Sequence, residues 1–432
     1  DKVALKTVNG KKYAFDDEGK MLFGWVSADN AERIDNTDGD AFKEGDYYFG
    51  GEDDGAMTVG WLQMDITYDE AVSDSTLAYE IAPAFNDDED QTRWFYFKSN
   101  GKKVKAEGTD AQKSKTINGK KYEFDVNGAM TAEWSLDVKS ASESTTTYAD
   151  GTVRDDQLLA SYSSTTTKSV PAKYAQQWRY FQDVENGARI SKGWFKVVSA
   201  EYLNYEKYDD DEDAWYYADG SGKLYAGEFK TIKGKKYAFR NDGRMIDGLK
   251  FIKEENGGLT VKADDDDDYP FDTEDDFNAS SVWYSNAGYR CYYFGGGDDG
   301  AMRTNKTTIE IDGDKFSFFF EKSGAHKGAG KIGEKDDKIY QSGKMLAAGK
   351  DEKYQVVLRE PTTDTTVSTV TYRKLEDVQD FLKEVGTPSE DRSQTSIDKL
   401  AGFGVSKKAE DLAELYIIPY DASGNVNGIN AK

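Results

Sequence analysis

Residues 9–25 read NGKKYAFDDEGKMLFGW, and close relatives of this phrase return as NGKKYEFDVNGAM from Asn118 and KGKKYAFRNDGRM from Lys233. Each begins with a strand in which Tyr13 and Phe15 (or their counterparts) stand two residues apart and so share one face, with Ala14 on the other. An acidic turn follows, closed by a glycine that can take positive φ. Two residues later comes an aliphatic side chain, Met21 in the first case, placed to meet the aromatics across a hairpin. The pattern recurs about ten times. Clear copies are Tyr47-Tyr48-Phe49 with Gly55 and Met57, Trp215-Tyr216-Tyr217 with Gly222 and Leu224, and Tyr292-Tyr293-Phe294 with Gly300 and Met302.

A lone two-stranded hairpin is marginal in water. It becomes stable when the next hairpin covers its sticky face, as in repeat proteins. The reading is therefore a mainly β chain: a solenoid of stacked β-hairpin repeats over 1–350 with long insertions, then a small C-terminal α+β module or cap over 351–432. The largest insertion, between Trp134 and Trp178, carries alternating Thr and Tyr around Asp150-Gly151 and reads as an added hairpin. In the module, KYQVVLRE reads as a strand. Leu375, Val378, Phe381 and Leu382 have helical spacing, and a second helical stretch runs into YIIPY.

Composition agrees. The 432 residues are 37% hydrophobic but 13% aromatic, which suits many small aromatic clusters better than one aliphatic core. The net charge of -25 excludes nucleic acid and anionic membrane as partners. No apolar run is long enough to span a bilayer, and the first residues do not form a signal peptide. The single cysteine, Cys291, precludes an internal disulfide framework and reads as a packed strand residue. His326 is the only histidine, so neither a His-rich metal site nor His-dependent nucleophilic catalysis is expected. The acidic runs from Ala263 and Asp209 read as solvated loops, because the latter lacks the glycine and glutamate of a calcium loop. No cofactor, metal or catalytic residue is expected, and the chain reads as non-catalytic.

The phrase GW…GDYYFGGEDDGAMTVGW, from Gly24 to Trp61, resembles the cell-wall-binding repeat family, which includes choline-binding, glucan-binding and clostridial toxin-type repeats. The resemblance covers 1–350. It implies a secreted, cell-surface protein of a Gram-positive bacterium that binds a cell-wall polymer or glycan. It also implies an aromatic cage in which cation–π attraction holds a quaternary ammonium. Carried over by position, that cage uses Trp25, Tyr48 and Trp61, with Met57 as a wall and Tyr47 in place of Tyr48 if the other strand face points outward. Only three Gly-Trp pairs exist, at Trp25, Trp61 and Trp194; Trp134 follows Glu133, and Phe229 and Leu249 replace Trp elsewhere. Most grooves are thus expected to lack a complete cage. The alternative is a cell-surface adhesin that meets a host or bacterial protein through insertions 27–44, 62–92 and 135–177.

Overall fold

The computed structural model describes residues 2–71, 89–108, 110, 112–136, 145–147, 153–155, 170–262, 271–347, 354–375, 414–419 and 430–431. The chain is mainly β, arranged as many small antiparallel sheets with no closed barrel among the described residues. It divides into two compact units, Asp1–Gly227 with Asn241–Arg244, and Glu228–Arg240 with Met245–Lys432.

The repeating phrase forms a hairpin, but its main ladder lies upstream of the aromatic strand. Leu5–Val8 pairs with Lys11–Ala14, Lys113–Ile117 with Lys120–Phe124, and Glu228–Ile232 with Lys235–Phe239. The reason is the Asn-Gly or Lys-Gly corner. Asn9 and Gly10 have φ of 49° and 82°, and Asn118/Gly119 and Lys233/Gly234 repeat these values closely. Two left-handed residues in succession make the turn whose twist matches paired strands. The return segment after the acidic turn adds only a single bridge, Phe15↔Met21, Phe124↔Met130 or Phe239↔Met245. That turn is closed by its own aspartate: Asp16 Oδ1 accepts from the backbone N–H of Glu18 and Lys20, and Asp125 Oδ1 from Asn127 and Ala129.

Successive hairpins meet through a joint of constant chemistry. The backbone N–H at the methionine position donates to a carbonyl in or just before the aromatic strand of the preceding hairpin. Met57 N donates to Lys12 O, Lys103 N to Asp46 O, Met130 N to Trp94 O and Met302 N to Lys236 O, all at 2.7–2.8 Å. The turn glycine of one hairpin then lies flat on the methionine-position side chain of the hairpin before it: Gly55 on Met21, Gly101 on Met57, Gly128 on Lys103, Gly187 on Met130 and Gly300 on Met245. At Gly101, with φ +84°, an added Cβ would stand 2.8 Å from Met57 Cγ and 3.0 Å from Tyr47 Cδ1. Gly101→Ala is expected to cost about 2–3 kcal/mol, from left-handed strain plus overpacking. Equilibrium urea denaturation measures it, and a change below about 0.5 kcal/mol would show that the joint is soft.

The second unit carries additions. Leu249–Glu255 pairs with both Gly258–Lys262 and Arg290–Tyr293. Five short strands between Asn305 and Leu346 form one sheet. The helix Glu274–Asn286 is capped by Thr273, whose hydroxyl accepts from Asp276 N at 3.1 Å. The acidic run read as a loop thus ends by opening a helix, because acids in a first turn suit the helix dipole. Residues 263–270 of that run lie outside the described residues.

Of the C-terminal expectations, the strand over KYQVVLRE is present as Tyr354–Pro361, flanked by Val370–Leu375 and Glu414–Pro419. Of the expected helices, Leu375 instead ends the strand Val370–Leu375, and the remaining residues lie outside the described residues. In the largest insertion, Thr145–Thr147 pairs with Val153–Asp155, as the expected hairpin requires, while its turn lies outside the described residues. Asp209, Asp211 and Asp213 are exposed around the end of a short helix. Cys291 is buried and unbridged, and burial raises its thiol well above the usual range.

Glu274 joins the helix to the strands beside it. Its carboxylate accepts from Lys344 at 2.6 Å and Lys374 at 3.0 Å. Burial opposes its charge, but the two ammonium groups outweigh it and hold its carboxyl at about 2. Burial pulls the fully enclosed Lys344 down to about 8, against the pull of Glu274. A carboxyl whose pKa is lower in the folded state stabilises fully above its unfolded value of about 4.5 and loses that contribution as pH falls towards 2. Acid unfolding followed by circular dichroism is therefore expected to be shallower between pH 4.5 and 2 in Glu274→Gln. Superimposable slopes would remove Glu274 from the acid response.

Candidate functional site: an open aromatic groove

The strand Gln91–Phe97 alternates strictly between buried and half-buried residues. One face carries Phe95 and Phe97 into a cluster with Trp25 and Phe42. The other presents Trp94 and Tyr96. Trp61 lies on the partner strand opposite Tyr96, so Trp94 is its diagonal neighbour on the same face. The next hairpin adds Tyr122, and the residue after its turn adds Met130.

These side chains make a groove. The rings of Trp61 and Trp94 are perpendicular, with centroids 6.2 Å apart, and Tyr122 stands 4.9 Å from Trp61 at 68°. A cavity of about 480 Å³ lies between them, lined also by Met130, Asp183, Glu185 and Asn186. The two tryptophans are half-buried, Tyr122 and Met130 are buried, and the carboxylates stand exposed at the rim. The rim comes from the turn of a later hairpin, which Gly187 seats on Met130. Glu185 is held there by Gln63 Nε2 at 3.2 Å and Trp94 Nε1 at 3.4 Å. Ring faces with two carboxylates at the mouth favour a cation that carries an apolar surface.

The residues expected to form the cage are distributed over three clusters. Trp25 and Tyr48 are together, with centroids 5.1 Å apart, but Trp25 is only 3% exposed and its other ring neighbours are Phe95 and Phe97. Tyr47 points to the opposite face, stacks on Phe49 and shares a cluster with Met57. Trp61 meets the aromatic strand that follows it, not the one that precedes it. The cause is the upstream hairpin arm: each tryptophan pairs forward, Trp25 with Tyr48 and Trp61 with Tyr96. The cage carried over by position thus leaves out Trp94, Tyr122, Met130, Asp183 and Glu185, which line this groove with Trp61. Strand alternation in QTRWFYF was the available signal.

A further groove repeats the ring geometry. Trp134 lies 6.3 Å from Trp178 at 85°, 5.1 Å from Tyr180 and 5.0 Å from Tyr216. Its missing glycine does not matter, because Glu133 itself adopts φ 55°. Here, however, Phe195 is sandwiched between Tyr180 and Tyr216, at 4.9 and 5.5 Å and 19° to each. Trp178 and Tyr216 are fully enclosed. This groove is core.

Among the described residues, no group of three metal-binding side chains occurs, and no helix is long and apolar enough to cross a membrane. No protein-family model matches the chain, and no curated protein does. Among solved structures, choline-binding protein F of Streptococcus pneumoniae, in complex with ipratropium, is 19% identical with a TM-score of 0.31, over 82% of this chain and 96% of that one. CbpJ from Streptococcus pneumoniae TIGR4 is 16% identical with a TM-score of 0.29, over 80% and 94%. The modular autolysin LytC of the same organism is 15% identical with a TM-score of 0.33, over 82% of this chain but 50% of its own. With its recurring hairpin, its Gly-Trp elements and its methionine after the turn, the chain resembles the choline-binding, cell-wall-binding repeat family.

Proposed function

We propose that this chain is an extracellular binding protein that attaches to a cell-wall polymer by taking a choline-type quaternary ammonium into the Trp61–Trp94–Tyr122 groove. The observation that supports it most is the pair of perpendicular indoles, closed by Tyr122 and Met130 and left open on the side where Asp183 and Glu185 stand. A trimethylammonium group is a charge wrapped in methyls. It gains from ring faces and loses little on leaving water, whereas a primary ammonium or metal ion would forfeit a tight hydration shell. The chain's net charge of -25 draws such cations in. The role is binding, with no catalytic step.

Insertion 27–44 does not serve as a free contact surface in this reading. Its helix Ala41–Glu44 buries Phe42 in the Trp25 cluster.

The test is a choline titration of the whole chain followed by tryptophan fluorescence and calorimetry, with a soluble glycan in parallel. One saturable choline site is the expected result. A response to the glycan alone, or to neither, overturns the reading.

A further inference from the structure

The groove beside Trp25 follows the same plan as the Trp61 groove but has an occupant of its own. Lys103 stands where the next hairpin carries Met130: Phe97↔Lys103 and Phe124↔Met130 are equivalent bridges. The Lys103 ammonium lies 5.0 Å from the centroid of Trp25 and 5.8 Å from that of Phe95. It donates a hydrogen bond to the carbonyl of Phe42. The residue is only 4% exposed, and no carboxylate among the described residues lies within ion-pair distance of it. Asp46 and Asp125 act only at longer range, and burial pulls its pKa down to about 7.

A buried ammonium without a carboxylate is costly unless something else replaces water. Here two ring faces and one carbonyl replace it in part. The carbonyl is delivered by the helix of insertion 27–44, and Gly45 lets that segment lie on the indole, where a Cβ would stand 2.5 Å from Trp25 Cε3.

We propose that the Trp25 groove is a cation site whose ligand is built in: Lys103 is a tethered ammonium that fills it and closes it to soluble ligands. Vacated, the groove would select a primary alkylammonium over a quaternary one, because the Phe42 carbonyl needs an N–H donor that a quaternary nitrogen lacks. This inference uses the reading of the Trp61 groove only as the pattern from which it departs.

The test is chemical rescue. Lys103→Ala is made in a Trp94→Ala background, so that the outer groove contributes nothing, and thermal stability is read against butylammonium and tetramethylammonium. Lys103→Ala is expected to lose stability and to regain it saturably with butylammonium. Tetramethylammonium is expected to act about tenfold more weakly, the factor that one charge-assisted hydrogen bond supplies. Lys103→Met, whose thioether fills the space, is expected to show no rescue. Equal responses to butylammonium in Lys103→Ala and in its parent overturn the proposal. If Lys103→Ala does not fold, NMR of the wild-type chain decides. The assigned ε-methylene protons of Lys103 are expected upfield, in the shielding cone of Trp25. An ordinary lysine shift there would sink the proposal whatever the choline titration shows.

Discussion

Replacing Trp94 with alanine is expected to weaken choline binding about 30-fold, the equivalent of about 2 kcal/mol for one desolvated cation–π contact. Trp94 forms the wall perpendicular to Trp61, and its indole N–H also helps to hold Glu185 at the rim. Its loss therefore removes a ring face and releases a carboxylate together. The fold should survive, because Trp94 is half-buried on the outward face of its strand while Phe95 and Phe97 hold the inward one. Trp283, 62% exposed on the helix Glu274–Asn286, supplies the matched control. Trp283→Ala is expected to bind like the wild type. Calorimetry with choline separates these outcomes, and wild-type affinity in Trp94→Ala would take the ligand site away from this groove.

The largest expected loss of stability is at Trp178. Its side chain is 0% exposed, and it packs edge-on to Trp134 and Tyr174 in the cluster that also holds Leu136, Phe195 and Leu203. Truncation to alanine leaves a cavity that rigid rings cannot collapse into, so Trp178→Ala is expected to cost about 3–5 kcal/mol. Among the described residues its buried indole N–H has no acceptor, so Trp178→Phe removes an unsatisfied donor along with some volume. The phenylalanine variant is expected to cost less than half as much. Urea denaturation read by near-ultraviolet circular dichroism compares the two. A Phe variant as unstable as Ala would mean that indole volume alone matters there.

The repeat was legible because its parts are local. Acidic turns closed by a glycine and aromatics at spacing two each act within a few residues of chain, whereas the corners at Gly10, Gly119 and Gly234 that carry the main ladder went unread. The C-terminal strand at Tyr354–Pro361 was readable for the same reason. What escaped were choices made between hairpins. Nothing in YYF tells whether Tyr48 meets the tryptophan before it or after it; that depends on which arm carries the ladder. Glu133 in a left-handed conformation hid the Trp134 groove from a search for Gly-Trp. Lys103 stands two residues after the turn glycine, the place of methionine elsewhere, and nothing local in GKKVK marks it as buried. The helix Glu274–Asn286 was masked by its acidity, yet Thr273 and Asp276 spell its cap.

The joint between hairpins has a bearing on how such a chain changes over generations. Registration depends on a backbone amide, a bare α-carbon and one long side chain, all contributed by a few residues after each aromatic strand. The stretch separating two joints can be as short as 104–129 or as long as 131–188, and the same contacts form on both sides. Length and content between joints are thus nearly free to drift. The grooves beside Trp61, Trp25 and Trp134 thus differ in the side chains that stand in them, while the joints on either side keep the same contacts.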